Sequence, residues 1–309
     1  MKIIFFGSDD FAARHLKALC NSPHEILACV TQPARARGRH WKVTPTIVRD
    51  LALQNKIPVF EPETLKDPAI LKALKDLNAE LFAVVAYGHK LPEEIIGIPK
   101  LFCINVHGSL LPKYRGAAPI NWAIINGEKE SGATIFKINK DFDSGEIISQ
   151  RSIPIEESDT SVTLRSKVCQ LGVELLLETL SSIEKEKYSL TKQDSSKATL
   201  APKLTKELGA IDWKKNAVGI HNLVRGLLPW PTAYTQFKGK MLKVLETEMS
   251  RETTAQKPGE VLEITGQGFW VSAGHGKVHV KRVHLESSRP MEAKSFVRGH
   301  KITIGFQFS

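Results

Sequence analysis

The chain has 309 residues, 42% hydrophobic and 25% charged, enough for one large domain or two ordinary ones around a sizeable core. No apolar run approaches a bilayer span, which excludes a membrane helix; four scattered cysteines without a C-x-x-C pair argue against a disulfide frame or a zinc site and for a reducing, cytoplasmic setting. The net charge of +10 suits a polyanionic partner without requiring one, and residues 206–309, with 16 basic and 9 acidic side chains, hold +7 of it.

KIIFFG, ended by Gly7 and two acids, reads as a first buried strand and not a signal peptide. Ser8-Asp9-Asp10 then caps a helix through FAARHLKALC. Only one glycine stands where a dinucleotide fold places three, and carboxylates occupy the pyrophosphate position, so NAD is not expected. EILACVT is a second strand, IVRDLALQNK a helix, and LKALKDLNAELFAVVAYG a helix followed by a strand. FCINVH is a short strand, GSLLPKYRGAAP a turn and INWAIING a helix; SGATIFKIN reads as a more exposed strand, and DFDSGEIISQ turns into another. SVTLRSKVCQLGVELLLETLSSIEK is the clearest helix. This βαβ rhythm predicts a doubly wound, Rossmann-like sheet with at least five parallel strands.

From about Ser189 the chain turns to Ser, Thr and Lys without apolar periodicity, which reads as a linker. Beyond it come one helix, NAVGIHNLVRGL, and short strands split by Gly and Pro, expected to form a small antiparallel, OB-like β-barrel. The expected domains are 1–188 (catalytic, α/β), 189–205 (linker) and 206–309 (basic β-barrel). Trp230, between two prolines, is expected in the core.

The chemistry concentrates in Asn105-Val106-His107-Gly108-Ser109-Leu110-Leu111-Pro112, with Asp143 following 31 residues later in DFDSG. Side chains alternate along a strand, so Asn105 and His107 share a face. They stand at the carboxyl end of a strand, where open α/β sheets hold ligands. An Asn amide can donate to an oxygen becoming an oxyanion, His can take a proton from an attacking amine, and Asp can orient the His or hold a water. Ser109 lacks a G-x-S-x-G elbow, so direct attack by a substrate amine is simpler than an acyl-enzyme. No His, Cys and carboxylate cluster has ligand spacing, and no metal is expected.

Ala86-Tyr87-Gly88 with Leu91-Pro92, then INVHGSLLPKYRGAAPI, then Asp143 in DFDSG together resemble the 10-formyltetrahydrofolate-dependent formyltransferases. The resemblance implies Asn105, His107 and Asp143 as the catalytic residues and 10-formyltetrahydrofolate as formyl donor. It implies folate contacts at Ser109, Leu110, Leu111 and Pro112, with Tyr87, Gly88 and Leu91 on the pterin side. His89 and Lys90 depart from the family's apolar pattern.

Over nearly its whole length the chain is similar to the branch of that family acting on methionyl initiator tRNA, through GSDDFAARHL, TQPARARGRHWKVTP, RGAAPINWAI, IDW, HNLVRGLLPWPTAYT and KPGEVLEI in that order. Residues 33–49 carry Arg35, Arg37, Arg39, Lys42, Arg49 and Trp41 with no acid. On the residues alone this is either a solvated basic loop or a reader of an unpaired acceptor end, since Arg binds phosphate and Trp stacks on bases. The resemblance points to Arg39, with Arg35 or Arg37 able to share its role where Ala34, Ala36 and His40 replace the usual Asp, Pro and Gly. Among the C-terminal cations, Lys281 and Arg282 are the expected tRNA contacts. A monomer is expected. Two rivals stay open: a formyltransferase acting on an amino sugar nucleotide or glycinamide ribonucleotide, and a tRNA-binding module with an inactive site.

Overall fold

The first strand, β1 (Lys2–Gly7), is apolar on both faces, as a strand inside a covered parallel sheet must be. It turns directly into helix α1 (Asp10–Cys20), whose N-cap Asp9 accepts a hydrogen bond from the Ala12 amide at 3.0 Å. Strand β2 (Glu25–Val30), helix α2 (Ile47–Gln54), strand β3 (Val59–Phe60), helix α3 (Pro68–Asp76) and strands β4 (Leu81–Val85) and β5 (Phe102–His107) continue the alternation. Strands β6 (Glu130–Lys137) and β7 (Ile147–Pro154) and the long helix α4 (Ser161–Glu184) complete it. This computed structural model describes residues 1–37 and 42–309, with the backbone alone at 36, 37 and 42.

The sheet order is β7-β6-β5-β4-β1-β2-β3. Strands β3, β2, β1, β4 and β5 are parallel, which meets the expectation of five; β6 is antiparallel to β5, so the sheet is mixed and not parallel throughout. SGATIFKIN, expected as the exposed strand, is β6 and is buried along six consecutive residues. The exposed edge is β7, where exposed and half-buried residues alternate. On one face Ile4, Phe6, Val30, Phe82 and Val84 pack with Leu74 of α3 and with Tyr87, Leu91 and Ile95. Helix α1, burying Phe11, Leu16 and Leu19, packs on β1, β2 and β4.

The chain clusters into two compact units, the first comprising Met1–Pro119, Ser131–Ile153 and Ser166–Ala201, the second Ile120–Glu130, Pro154–Arg165 and Pro202–Ser309. Most of the stretch read as a linker, up to Ala201, therefore lies in the first unit. Thr191 exchanges two backbone hydrogen bonds with Ile147, and Leu200–Ala201 pairs in parallel with Arg115–Gly116.

The second unit contains helix α5 (Ala217–Gly226), strands β8 (Ala233–Phe237), β9 (Lys240–Ser250), β10 (Val261–Ile264), β11 (Phe269–Ser272), β12 (Lys277–Leu285) and β13 (Met291–Glu292), and helix α6 (Ala293–His300). The segment FWVSAGHGKVHVKRVHLE makes two of these strands, reversing at Gly276, whose φ is +84° and where a Cβ would lie 2.4 Å from the Ser250 carbonyl oxygen. The antiparallel order is β8-β9-β12-β11-β10, with β13 added beside β12. Among the described residues this path is open, with β8 and β10 at its two ends, so the part of the OB-like barrel expectation that is seen is an antiparallel sheet. Trp213, Val224, Leu227, Val244, Phe269, Phe296 and Phe308 fill its core. Trp230 is not among them. It is 52% exposed, whereas the Trp213 indole is buried and donates to the Thr235 hydroxyl at 3.1 Å. The two flanking prolines restrict the backbone at Trp230, which does not by itself place the ring against the core.

Candidate active site

Asn105 and His107 lie on β5, with His107 its last residue, at the carboxyl end shared with β4 and β1. In register, Asn105 stands between Val84 and Phe136, and His107 opposite Thr134. The His107 ring is 6% exposed, edge-on to Phe136 at 6.5 Å. Its Nε2 lies 2.9 Å from the Tyr114 carbonyl oxygen. A carbonyl only accepts, so Nε2 carries the hydrogen and, in the neutral ring, Nδ1 keeps the lone pair. That nitrogen lies 3.7 Å from Asp143 Oδ2.

Asp143 occupies the turn between β6 and β7 in a left-handed conformation, φ +49°. Its Oδ2 accepts from the Gly116 amide at 2.9 Å. Two residues on, Gly145 allows the turn to close, because a Cβ there would fall 1.7 Å from the Lys137 carbonyl oxygen. Asp143 thus reaches His107 by a turn from the neighbouring antiparallel hairpin, and Asn105 shares the face of His107 by strand alternation.

The SLLP turn is held from beneath. The Ser109 hydroxyl donates to the Lys113 carbonyl at 2.7 Å, so it braces the turn itself. The Thr134 hydroxyl donates to the Ser109 carbonyl at 2.6 Å and accepts from the Leu111 amide at 3.2 Å. The Gln150 amide donates to the Leu111 carbonyl at 2.9 Å and to the Thr134 oxygen at 2.8 Å. Leu111 is buried, Leu110 and Pro112 are half-buried, and the Leu111–Pro112 peptide is cis.

Tyr87 and Leu91 belong to the core cluster, and burial pushes the Tyr87 hydroxyl up to about 12. Gly88 follows with φ +83°. The Tyr87 carbonyl accepts from Gln32 Nε2 at 2.7 Å and from the Ser8 hydroxyl at 3.3 Å. Ser8 Oγ also accepts from the Gln32 amide at 3.2 Å, and the Thr31 and Thr46 hydroxyls meet at 2.7 Å. Both roots of the basic loop are tied together there.

Within that loop, Arg35–Arg37 pairs antiparallel with Lys42–Thr44, and Arg35 is exposed. Only the strand backbone is described at Arg37 and Lys42; Arg39 and Trp41 lie outside the described residues. Arg49 is committed to Glu61 at 3.0 Å and Asp50 at 3.3 Å. In the second unit, Lys281 is bonded to Glu248, which holds that carboxyl below its usual range, whereas Arg282 is exposed. Arg225 is half-buried and donates to the carbonyls of Glu156 at 3.0 Å and Asp159 at 2.8 Å. No group of three or more His, Cys, Asp or Glu side chains that could hold a metal occurs among the described residues.

Sequence reasoning missed Thr134, Gln150 and Gln193. Gln193 Nε2 donates to the carbonyls of Asp143 at 2.9 Å and Gly145 at 2.8 Å, and its Oε1 accepts from Arg115. Only its position before Asp194, an N-cap, marks local order there.

A mixed α/β sheet with Asn105 and His107 at the carboxyl end of β5, and Asp143 carried to His107 by the β6–β7 turn, is the arrangement that the resemblance to formyltransferases implies. Residues 1–180 match the formyl transferase family and residues 203–301 the formyl transferase C-terminal domain. The methionyl-tRNA formyltransferase of Caldanaerobacter subterraneus subsp. tengcongensis is 46% identical over 306 residues, 99% of each chain. That of Acetivibrio thermocellus is 42% identical over 99% of this chain and 98% of its own. The chain belongs to the methionyl-tRNA formyltransferase family. Among solved structures, the N-formyltransferase of Helicobacter canadensis bound to folinic acid and dTDP-3-aminofucose superposes with TM-score 0.69 at 21% identity, over 91% of this chain and 99% of its own. The sugar 3N-formyl transferase WlaRD, with dTDP and 5-N-formyl-THF, gives 0.68 at 20%, over 91% and 97%. At such identities the likeness is one of fold.

Proposed function

We propose that this chain transfers the formyl group of 10-formyltetrahydrofolate to the amino group of methionyl initiator tRNA. The observation that carries the reading is the Asp143 carboxylate beside His107 at the carboxyl end of β5, with Asn105 on the same face of that strand. The uncharged methionyl amine attacks the formyl carbon, and the Asn105 amide donates to the oxygen as it becomes an oxyanion. His107 Nδ1 takes the proton that the new amide nitrogen must lose, with the Asp143 carboxylate beside the resulting imidazolium. The C–N10 bond then breaks as the His107 imidazolium passes that proton on to N10, and tetrahydrofolate leaves with His107 neutral again. The braced Ser109–Pro112 turn and the backbone at Tyr87–Gly88, with Leu91 behind it, receive the folate.

Residues 1–188 are assigned to catalysis, 189–205 to the connection, and 206–309 to an OB-like tRNA-binding module, a fold type that is five-stranded and partly open. The protein acts as a cytoplasmic monomer. Arg35, Arg37, Arg39, Trp41 and Lys42 are assigned to the acceptor end.

The deciding experiment offers the formyl donor with methionyl-tRNA, an amino sugar nucleotide or glycinamide ribonucleotide. Formylation of methionyl-tRNA is the expected result; transfer to one of the small acceptors alone would overturn the reading. Charge reversal separates the C-terminal cations. Arg282→Glu is expected to weaken tRNA binding and flatten the slope of log affinity against log salt by about one or two units. Lys281→Glu should change that slope less, because its ammonium already serves Glu248. Unaltered slopes in both variants would remove the pair from the tRNA face.

A further inference from the structure

We infer that Gln193 is a positioning residue for formyl transfer, holding the Asp143 turn so that its carboxylate stays beside the His107 ring. The inference rests on the proposed role of Asp143 and His107.

Asp143 sits at φ +49°, a conformation that L residues keep only when their surroundings enforce it. Within the turn, the Asn139 side chain accepts from the Asp141 amide at 3.0 Å and the Ser144 hydroxyl at 3.1 Å. The restraint on Asp143 itself comes from outside. Its Oδ2 receives the Gly116 amide, and its carbonyl receives Gln193 Nε2, which also reaches Gly145. Gln193 Oε1 takes both Nε and Nη2 of Arg115, at 3.1 and 2.8 Å. Because Arg115 precedes Gly116, these bonds form a closed circuit: Gly116 amide, Asp143 carboxylate, Asp143 carbonyl, Gln193 amide, Arg115.

The strap carrying Gln193 is fixed at both ends of this circuit. Thr191 pairs with Ile147, just beyond the Asp143 turn. Thr199 accepts from the Tyr114 amide at 2.9 Å through its hydroxyl and from the Arg115 amide at 2.8 Å through its carbonyl. Tyr114 is also the residue whose carbonyl orients His107. Strap, imidazole and carboxylate therefore share one short run of backbone.

The chemistry selects glutamine. The position needs one NH2 for two carbonyls and one acceptor for a forked guanidinium, with reach from the strap. Glutamate would satisfy Arg115 but set a carboxylate against two carbonyls. Asparagine has the groups but is one methylene shorter.

The test uses the full chain and compares wild type, Gln193→Ala, Gln193→Glu, Asp143→Asn and the Gln193→Ala/Asp143→Asn double variant. Single-turnover transfer to methionyl-tRNA is measured at saturating donor and acceptor. Gln193→Ala should lower the rate constant by roughly 10- to 100-fold with donor KM changed by less than about threefold, and Gln193→Glu should fall at least as far. In the Asp143→Asn background the same alanine substitution should cost less than about twofold, because its effect runs through the missing carboxylate. Losses that multiply would mark a merely structural role and overturn the inference, as would a Gln193→Ala rate within about twofold of wild type.

Amide hydrogen exchange supplies a readout independent of the acceptor. In Gln193→Ala the Gly116 amide, bonded to Asp143, should exchange faster, while Ala117 and Ala118, bonded to the Ala201 carbonyl, should not. Unchanged exchange at Gly116, or equal acceleration at all three amides, would overturn the inference. A wild-type chain that leaves methionyl-tRNA unformylated while Gly116 responds as expected would sink the proposed acceptor and leave the positioning of Asp143 standing.

Discussion

Alanine at His107 or at Asn105 is expected to slow single-turnover formyl transfer by about 100-fold or more while the fold stays intact. The two losses have different origins. On the proposed mechanism Asn105→Ala removes the donor to charge that exists only in the transition state, so the rate constant should fall with little change in substrate binding. His107→Ala removes the base and also leaves the Tyr114 carbonyl without its ring donor. That variant should therefore lose a little stability as well, on the order of 1 kcal/mol for a buried acceptor deprived of its partner. Rapid-quench transfer assays with circular dichroism melts would separate the effects. Near-normal transfer in both variants would remove these residues from the chemistry.

Asp143→Asn is expected to reduce transfer by about 10- to 100-fold at unchanged stability. The backbone makes this substitution unusually informative. Asn tolerates the left-handed φ of +49° as well as Asp does, and its amide oxygen can still accept from the Gly116 amide. What disappears is the negative charge 3.7 Å from His107 Nδ1. Asp143→Ala should lose activity and stability together, since it surrenders the Gly116 bond and places a less tolerant residue in the same conformation. Equal rates for Asp and Asn would show that the charge is dispensable and that the turn matters only for its shape.

What the sequence disclosed about this site follows from the range of the forces involved. The cap at Asp9 and the shared face of Asn105 and His107 depend on neighbours a few residues away, and both are as the local pattern predicts. Asp143 stands far along the chain on another hairpin, so its approach to His107 came from family resemblance and not from periodicity. Gln193 carried no signal, because a polar stretch without apolar rhythm looks the same whether it is solvated or hydrogen-bonded to a turn. The burial of β6, expected as the more exposed strand, and the exposure of Trp230, expected in the core, share one cause: burial is decided by which element lies alongside, which local pattern does not reveal. Arg39 is assigned by resemblance and Trp41 by the stacking chemistry of its ring, and both lie outside the described residues.

The paired hydroxyls at the roots of the basic loop bear on how such a loop can diversify. Thr31 and Thr46 meet each other, Ser8 and Gln32 fasten the entry to Tyr87, and Thr46 also caps α2 by accepting from the Arg49 amide. None of these anchors is contributed by residues 33–45. The segment is thus a cassette between fixed sockets: its length and residue types can change while the sheet and the Ser109–Pro112 turn keep their geometry. On the proposed function, a lineage can change the residues that meet the acceptor there without disturbing the hydrogen bonds that hold Tyr87 and α2.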